Sequence, residues 1–171
     1  MKRALLLFLA ACGGNDAKPT VDAAAIDAVA SDFATCTSAC MTSVVSVNIA
    51  AQRTLDVAYY GVNQDGSLHV EAYAGAAAGC PTMSSPTPDY ALILGAVPAP
   101  HDTTASTSSA NLLDYKGDLL GGPLGKAAAT VVLMPTAFAA ATHVALDLDV
   151  GFAPGTATGH LFAAHCASLD D

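Results

Sequence analysis

Two stretches carry side chains of the kind that hold cations or move protons. In "HVALDLDV" (143–150), an extended backbone puts His143, Ala145, Asp147 and Asp149 on one face and Val144, Leu146, Leu148 and Val150 on the other. In "SLHVEAY" (67–73), His69, Glu71 and Tyr73 lie opposite Leu68, Val70 and Ala72. Were these strands neighbours, the imidazoles of His143 and His69 and the carboxylates of Asp147 and Glu71 would converge on a metal ion. The plainer expectation is a solvated face on each, because half-exposed antiparallel strands alternate in this way by default. Residues 143–150 are therefore expected to form a half-buried strand that holds no metal.

Other chemistry is thinner. "GVNQDG" (61–66) resembles part of a calcium loop, but Gly61 stands where the first acidic ligand belongs and Ala72 where the closing glutamate belongs. A turn is the better reading. His101-Asp102 sits in a polar loop and reads as a turn start. His165 and Cys166 are adjacent, yet neighbours on a strand point to opposite faces and cannot share a proton without a bulge. His160 and His165, five apart, likewise face opposite sides of a regular strand. The chain has no Gly-x-Ser-x-Gly elbow, phosphate loop, dinucleotide fingerprint or His-Glu-x-x-His helix. No catalytic residue and no cofactor is assigned.

Five cysteines are present: Cys12, Cys36, Cys40, Cys80 and Cys166. Setting Cys12 aside leaves an even number, which in an exported chain points to two disulfides. The expected pairs are Cys80–Cys166 and Cys36–Cys40, since Cys80 sits in a Gly-Cys-Pro turn and Cys166 ends the last strand. The alternative pairings cross-link the N-terminal segment to the body. Zinc is disfavoured, because Cys-x3-Cys has no matching second pair.

The elements that must position these groups are mostly strands. Alternating or β-branched runs occupy 43–50, 54–61, 67–74, 89–97, 130–135, 143–152 and 157–166, and 109–120 is a further candidate. "NQDG" (63–66) and "APGT" (153–156) supply turns. "CPTMSSPTPD" (80–89) is too proline-rich for a strand interior, and "PAPHDTTASTSS" (98–109) reads as another loop. The fold expected is all-β, an antiparallel β-sandwich or a barrel-like domain. The alternative is α+β, with a helix in 119–142 built on its alanine blocks. Fourteen of the fifteen acids are aspartate and Glu71 is the lone glutamate, which favours turns over helix interiors.

The N-terminus has a different logic. Lys2 and Arg3 precede Ala4–Ala11, an apolar run about half the length of the roughly 20 residues needed to span a bilayer. Charge, short apolar stretch and small residues make a secretory signal. Leu9-Ala10-Ala11-Cys12 resembles the lipobox of bacterial lipoproteins. The resemblance implies cleavage before Cys12, a diacylglyceryl group on its sulfur and an acyl chain on its new amino group. More than one chain gives stable anchoring, where a single myristoyl does not. In such proteins an aspartate after the cysteine favours the inner membrane; here the residue is Gly13, which implies the outer membrane where a cell has one.

This divides the chain into a signal peptide (1–11), a lipidated Cys12 with an Ala/Asp-rich tether (12–35), and a domain (36–171). Low hydrophobicity and acidic bias favour disorder in the tether, with a short helix over Val21–Phe33 as the competing reading. The full chain carries a formal charge of −9, which becomes −11 once Lys2 and Arg3 leave with the signal. Nucleic acid is an unsuitable partner, since phosphate binding needs clustered Lys and Arg. The function expected is a cell-envelope lipoprotein displaying a structural or binding module, its partners the membrane and an envelope protein or other ligand. The alternative is an envelope hydrolase or metal-dependent enzyme using His143, Asp147, His69 and Glu71.

Overall fold

A computed structural model describes residues 35–76, 78–98 and 108–171. The signal peptide, Cys12, the tether up to residue 34 and His101-Asp102 lie outside the described residues. The fold is all-β. Ten strands follow one another as β1 (Val44–Asn48), β2 (Gln52–Leu55), β3 (Val57–Val62), β4 (Leu68–Ala74), β5 (Tyr90–Val97), β6 (Ser109–Asp114), β7 (Gly125–Ala127), β8 (Thr130–Ala139), β9 (His143–Phe152) and β10 (Gly155–His165). They form one strongly curled sheet, a half-barrel. Of the architectures expected, the barrel-like one is present, and the sandwich is not. Residues 119–142, the site of the alternative helix, hold β7 and β8. Val131 to Pro135 pair residue by residue with β9, so the ladder outweighs the alanine propensity on either side.

β10 organises the sheet. Along one edge it pairs with β9 from Gly155 to Ala164. Along the other it pairs first with β1, antiparallel, and then with β3, parallel. That parallel contact makes the sheet mixed instead of purely antiparallel. It is sterically open because the chain between β3 and β10 is long enough to return in the same direction. From β3 the order runs on through β4, β5 and β6 to β7. Between β7 and β8, Ala128 donates its N–H to Ala110 of β6 and Ala129 donates to Gly151 of β9. This strap bonds to both arms of the curl.

The inward face is the expected apolar one. Val144, Leu146, Leu148 and Val150 of β9 are buried against Leu161, Val70, Leu92 and Leu112. Gly159, in the middle of β10, takes a φ of 140°, and a Cβ there would stand 2.2 Å from the Val44 carbonyl oxygen. Glycine is what lets β1 approach β10 so closely. At the end of β6, Asp114 is 3% exposed and accepts N–H bonds from Gly117, Leu119 and Leu120 of the loop that follows, which satisfies a buried carboxylate with backbone donors. Arg53 of β2 reaches the Tyr90 hydroxyl at 2.9 Å and Asp118 at 2.8 Å, fastening that loop across the sheet.

Candidate functional site

The outward face of the β3–β6 arm differs from an ordinary solvated face. Register places Tyr59, Glu71 and Ile93 side by side on β3, β4 and β5. The adjacent row holds Val57, Tyr73, Ala91 and Leu113. Ala91 is buried although it points away from the barrel core, because the loop 75–89 covers it. That loop leaves β4 at Gly75 (φ 72°) and returns where Asp89 donates its N–H to Ala74. Its ends therefore meet, as in a compact Ω-shaped loop.

Four ties hold the loop down. Cys80 is bonded to Cys166. Gly79 donates its N–H to the Tyr59 hydroxyl at 2.7 Å. Ser168 donates its hydroxyl to the Pro81 carbonyl at 2.6 Å. Cys166 in turn donates its N–H to Tyr60 of β3 at 2.8 Å. Between loop and sheet lies a cleft of about 380 Å³, within the usual range for small-molecule sites. Tyr59, Tyr73, Tyr115, Ile93 and Leu113 give it an apolar, aromatic lining, with prolines and the hydroxyls of Thr82, Ser85 and Thr87 on the loop side.

Among the described residues, Glu71 is the one carboxyl side chain that lines the cleft. The Glu71 side chain is 16% exposed. Oε1 lies 2.8 Å from His69 Nε2, and Oε2 accepts the Tyr73 hydroxyl. The hydrogen bond that His69 donates to Glu71 raises the His69 pKa above its ordinary value, with partial burial acting against it. A β-bulge lies opposite His69. Leu68 pairs with Val97 but Val70 pairs with Leu94, so Gly95 and Ala96 together stand opposite His69.

The candidate residues do not converge on one place. His69 and Glu71 meet each other. His143 and Asp147 do not join them, because β10 and β3 lie between β9 and β4, about 14 Å of sheet at the ordinary strand spacing. No group of three or more potential metal ligands forms among the described residues. The face of β9 is also not simply solvated. His143 stacks on Phe162 with ring centroids 5.1 Å apart, and its Nε2 is buried with no partner among the described residues. Asp147 faces His160 across the β9–β10 ladder, and its Oδ1 lies 2.7 Å from Nδ1. His160 Nε2 lies 2.9 Å from the Cys40 carbonyl oxygen, beside the bonded pair Cys36–Cys40. His165 meets Asp170 at 3.1 Å and packs on Tyr60.

The cleft was not among the sequence expectations, although one signal pointed to it. "YALIL" of β5 does not alternate, and a short continuous apolar run marks a strand covered on both faces. No family model, curated protein or solved structure matches the chain.

Proposed function

We propose that the chain is a lipid-anchored protein of the cell envelope whose β domain is a ligand-binding module. The observation that carries the binding part is the cleft under loop 75–89. A wall fixed by a disulfide and three hydrogen bonds pre-organises a cavity, which lowers the entropic cost of taking up a ligand. The anchoring part rests on Leu9-Ala10-Ala11-Cys12 following a short apolar run. Lipid on Cys12 would hold the module at the membrane, in the outer membrane where the cell has one, and the acidic chain keeps it off nucleic acid and anionic lipid heads. A hydrolase or metal-dependent enzyme built on His143, Asp147, His69 and Glu71 gains nothing from the geometry, since of those side chains only His69 and Glu71 meet.

Metabolic labelling with a palmitate analogue, followed by membrane fractionation, tests the anchor. Cys12→Ser should lose the label and either leave the membrane fraction or persist as uncut precursor. Equal labelling of the variant would refute lipidation at Cys12. The module itself is tested separately, by ligand screening with amide shifts of cleft residues as the readout.

A further inference from the structure

We propose that the cleft takes a small organic ammonium cation, with Glu71 as counter-ion and the rings of Tyr59, Tyr73 and Tyr115 as walls; this rests on the reading of the domain as a ligand-binding module. The chemistry of the lining selects the ligand class. Among the described residues no lysine, arginine or histidine lines the cleft, and its one carboxylate is largely withdrawn from water. An anion would meet that carboxylate with nothing to offset it. A purely apolar ligand would strip its remaining solvent and return no charge. A cation does neither, and the partial desolvation of Glu71 strengthens the attraction.

The rings add to this. The chain has no tryptophan and five tyrosines, and three of the five line this one cleft. Tyr59 and Tyr73 are tilted together with centroids 6.5 Å apart. Tyrosine faces attract cations through the ring quadrupole, which is how aromatic cages hold quaternary ammonium groups. Lys116, the residue after Tyr115, is engaged by Asp89 at 3.3 Å. The formal charge of −9 gives the whole molecule a field that favours the approach of cations. His69 is the one competing positive charge. It faces Glu71 on its own strand and Asp171 at the chain end, and the β5 bulge and Gly61 opposite it carry no ionisable group. Deprotonation of His69 removes that competing charge.

The test uses the purified full chain in detergent, above the titration of His69, with choline and its neutral carbon isostere dimethylbutanol as probes. Amide and methyl shifts report where each binds, and titration gives the affinity. Choline should shift cleft residues and bind at least about tenfold more tightly than the isostere, the equivalent of about 1.4 kcal/mol. Glu71→Gln should erase that preference. Should Glu71→Gln disturb the fold, Tyr115→Ala, at an exposed ring, should still weaken choline several-fold. Asp149→Asn, on the exposed face of β9, should leave it unchanged. Equal binding of both probes would overturn the cation inference while leaving the binding module standing. No binding of choline by a folded chain would also overturn it; the module reading would then fail only if neutral and anionic probes left the cleft unshifted too.

Discussion

His69 and Glu71 show how a two-residue spacing on a strand becomes a titrating pair. Side chains at i and i+2 share a face, which brings the imidazole within 2.8 Å of the carboxylate. Because the folded pKa of His69 lies above its ordinary value of about 6.5, folding takes up a proton in the window between the two. The stabilisation is fully present below the ordinary value and is lost as pH rises through the raised one. In Glu71→Gln the His69 titration, followed by imidazole NMR shifts, should fall back toward the ordinary value. The melting advantage of the wild type over that variant should shrink as pH rises through the same window. An unmoved titration would mean that Glu71 is not the cause. The carboxylates of Asp118 and Asp170 work in the opposite sense. Hydrogen bonds from Tyr90 and then Arg53 lower the first, and the Val62 N–H and then His165 lower the second. Their contribution is present above the ordinary carboxyl range and fades as acid protonates them.

Strand β9 separates what alternation says from what it leaves unsaid. Val144, Leu146, Leu148 and Val150 lie in the core, where the period-two pattern put them. Leu146→Ala should cost about 2–5 kcal/mol through lost transfer energy and the cavity left behind. Asp147→Asn removes a partly exposed pair with His160 and should cost about 0.2–1 kcal/mol. Denaturant titration of both variants, with and without chelator, checks the ranking. A chelator-sensitive loss in Asp147→Asn would restore a cation site to this strand. Most strands were legible because they alternate against their own turn signals; β5 stood out by its continuous apolar run, and the three-residue β7 was not seen. The neighbours of each strand were not legible. Nothing local in "HVALDLDV" says that His160 rather than His69 will face Asp147, because register across the sheet is decided by how the whole curl closes. The split of 54–61 at Asp56 into β2 and β3 was hidden for the same reason: each half pairs with a different partner, β1 or β4. Gly159 looked like one more small residue, and its role emerges only from the Val44 carbonyl lying against it.

At the scale of the molecule, the two disulfides do unequal work. Cys80–Cys166 spans 86 residues and Cys36–Cys40 spans 4. In the chain-entropy model the first is worth about 4.6 kcal/mol and the second about 2. Replacing Cys80 and Cys166 together by serine should therefore lower stability more than the matching change at Cys36 and Cys40, with denaturant midpoints as the measure. It should also free loop 75–89 and weaken any ligand of the cleft. Equal losses would show that loop length does not govern either bond. The place of β10 has a consequence of another kind, in the timing of folding. β10 follows the other nine described strands in the chain, and among them it alone bridges β9, β1 and β3. Until residues 155–165 emerge, the earlier strands form hairpins and a meander with no ladder joining them, and Val44–Asn48 waits for partners at 156–160. Truncation before Gly155 removes the ladders to β9, β1 and β3 together, and such a chain should show no cooperative unfolding transition in denaturant.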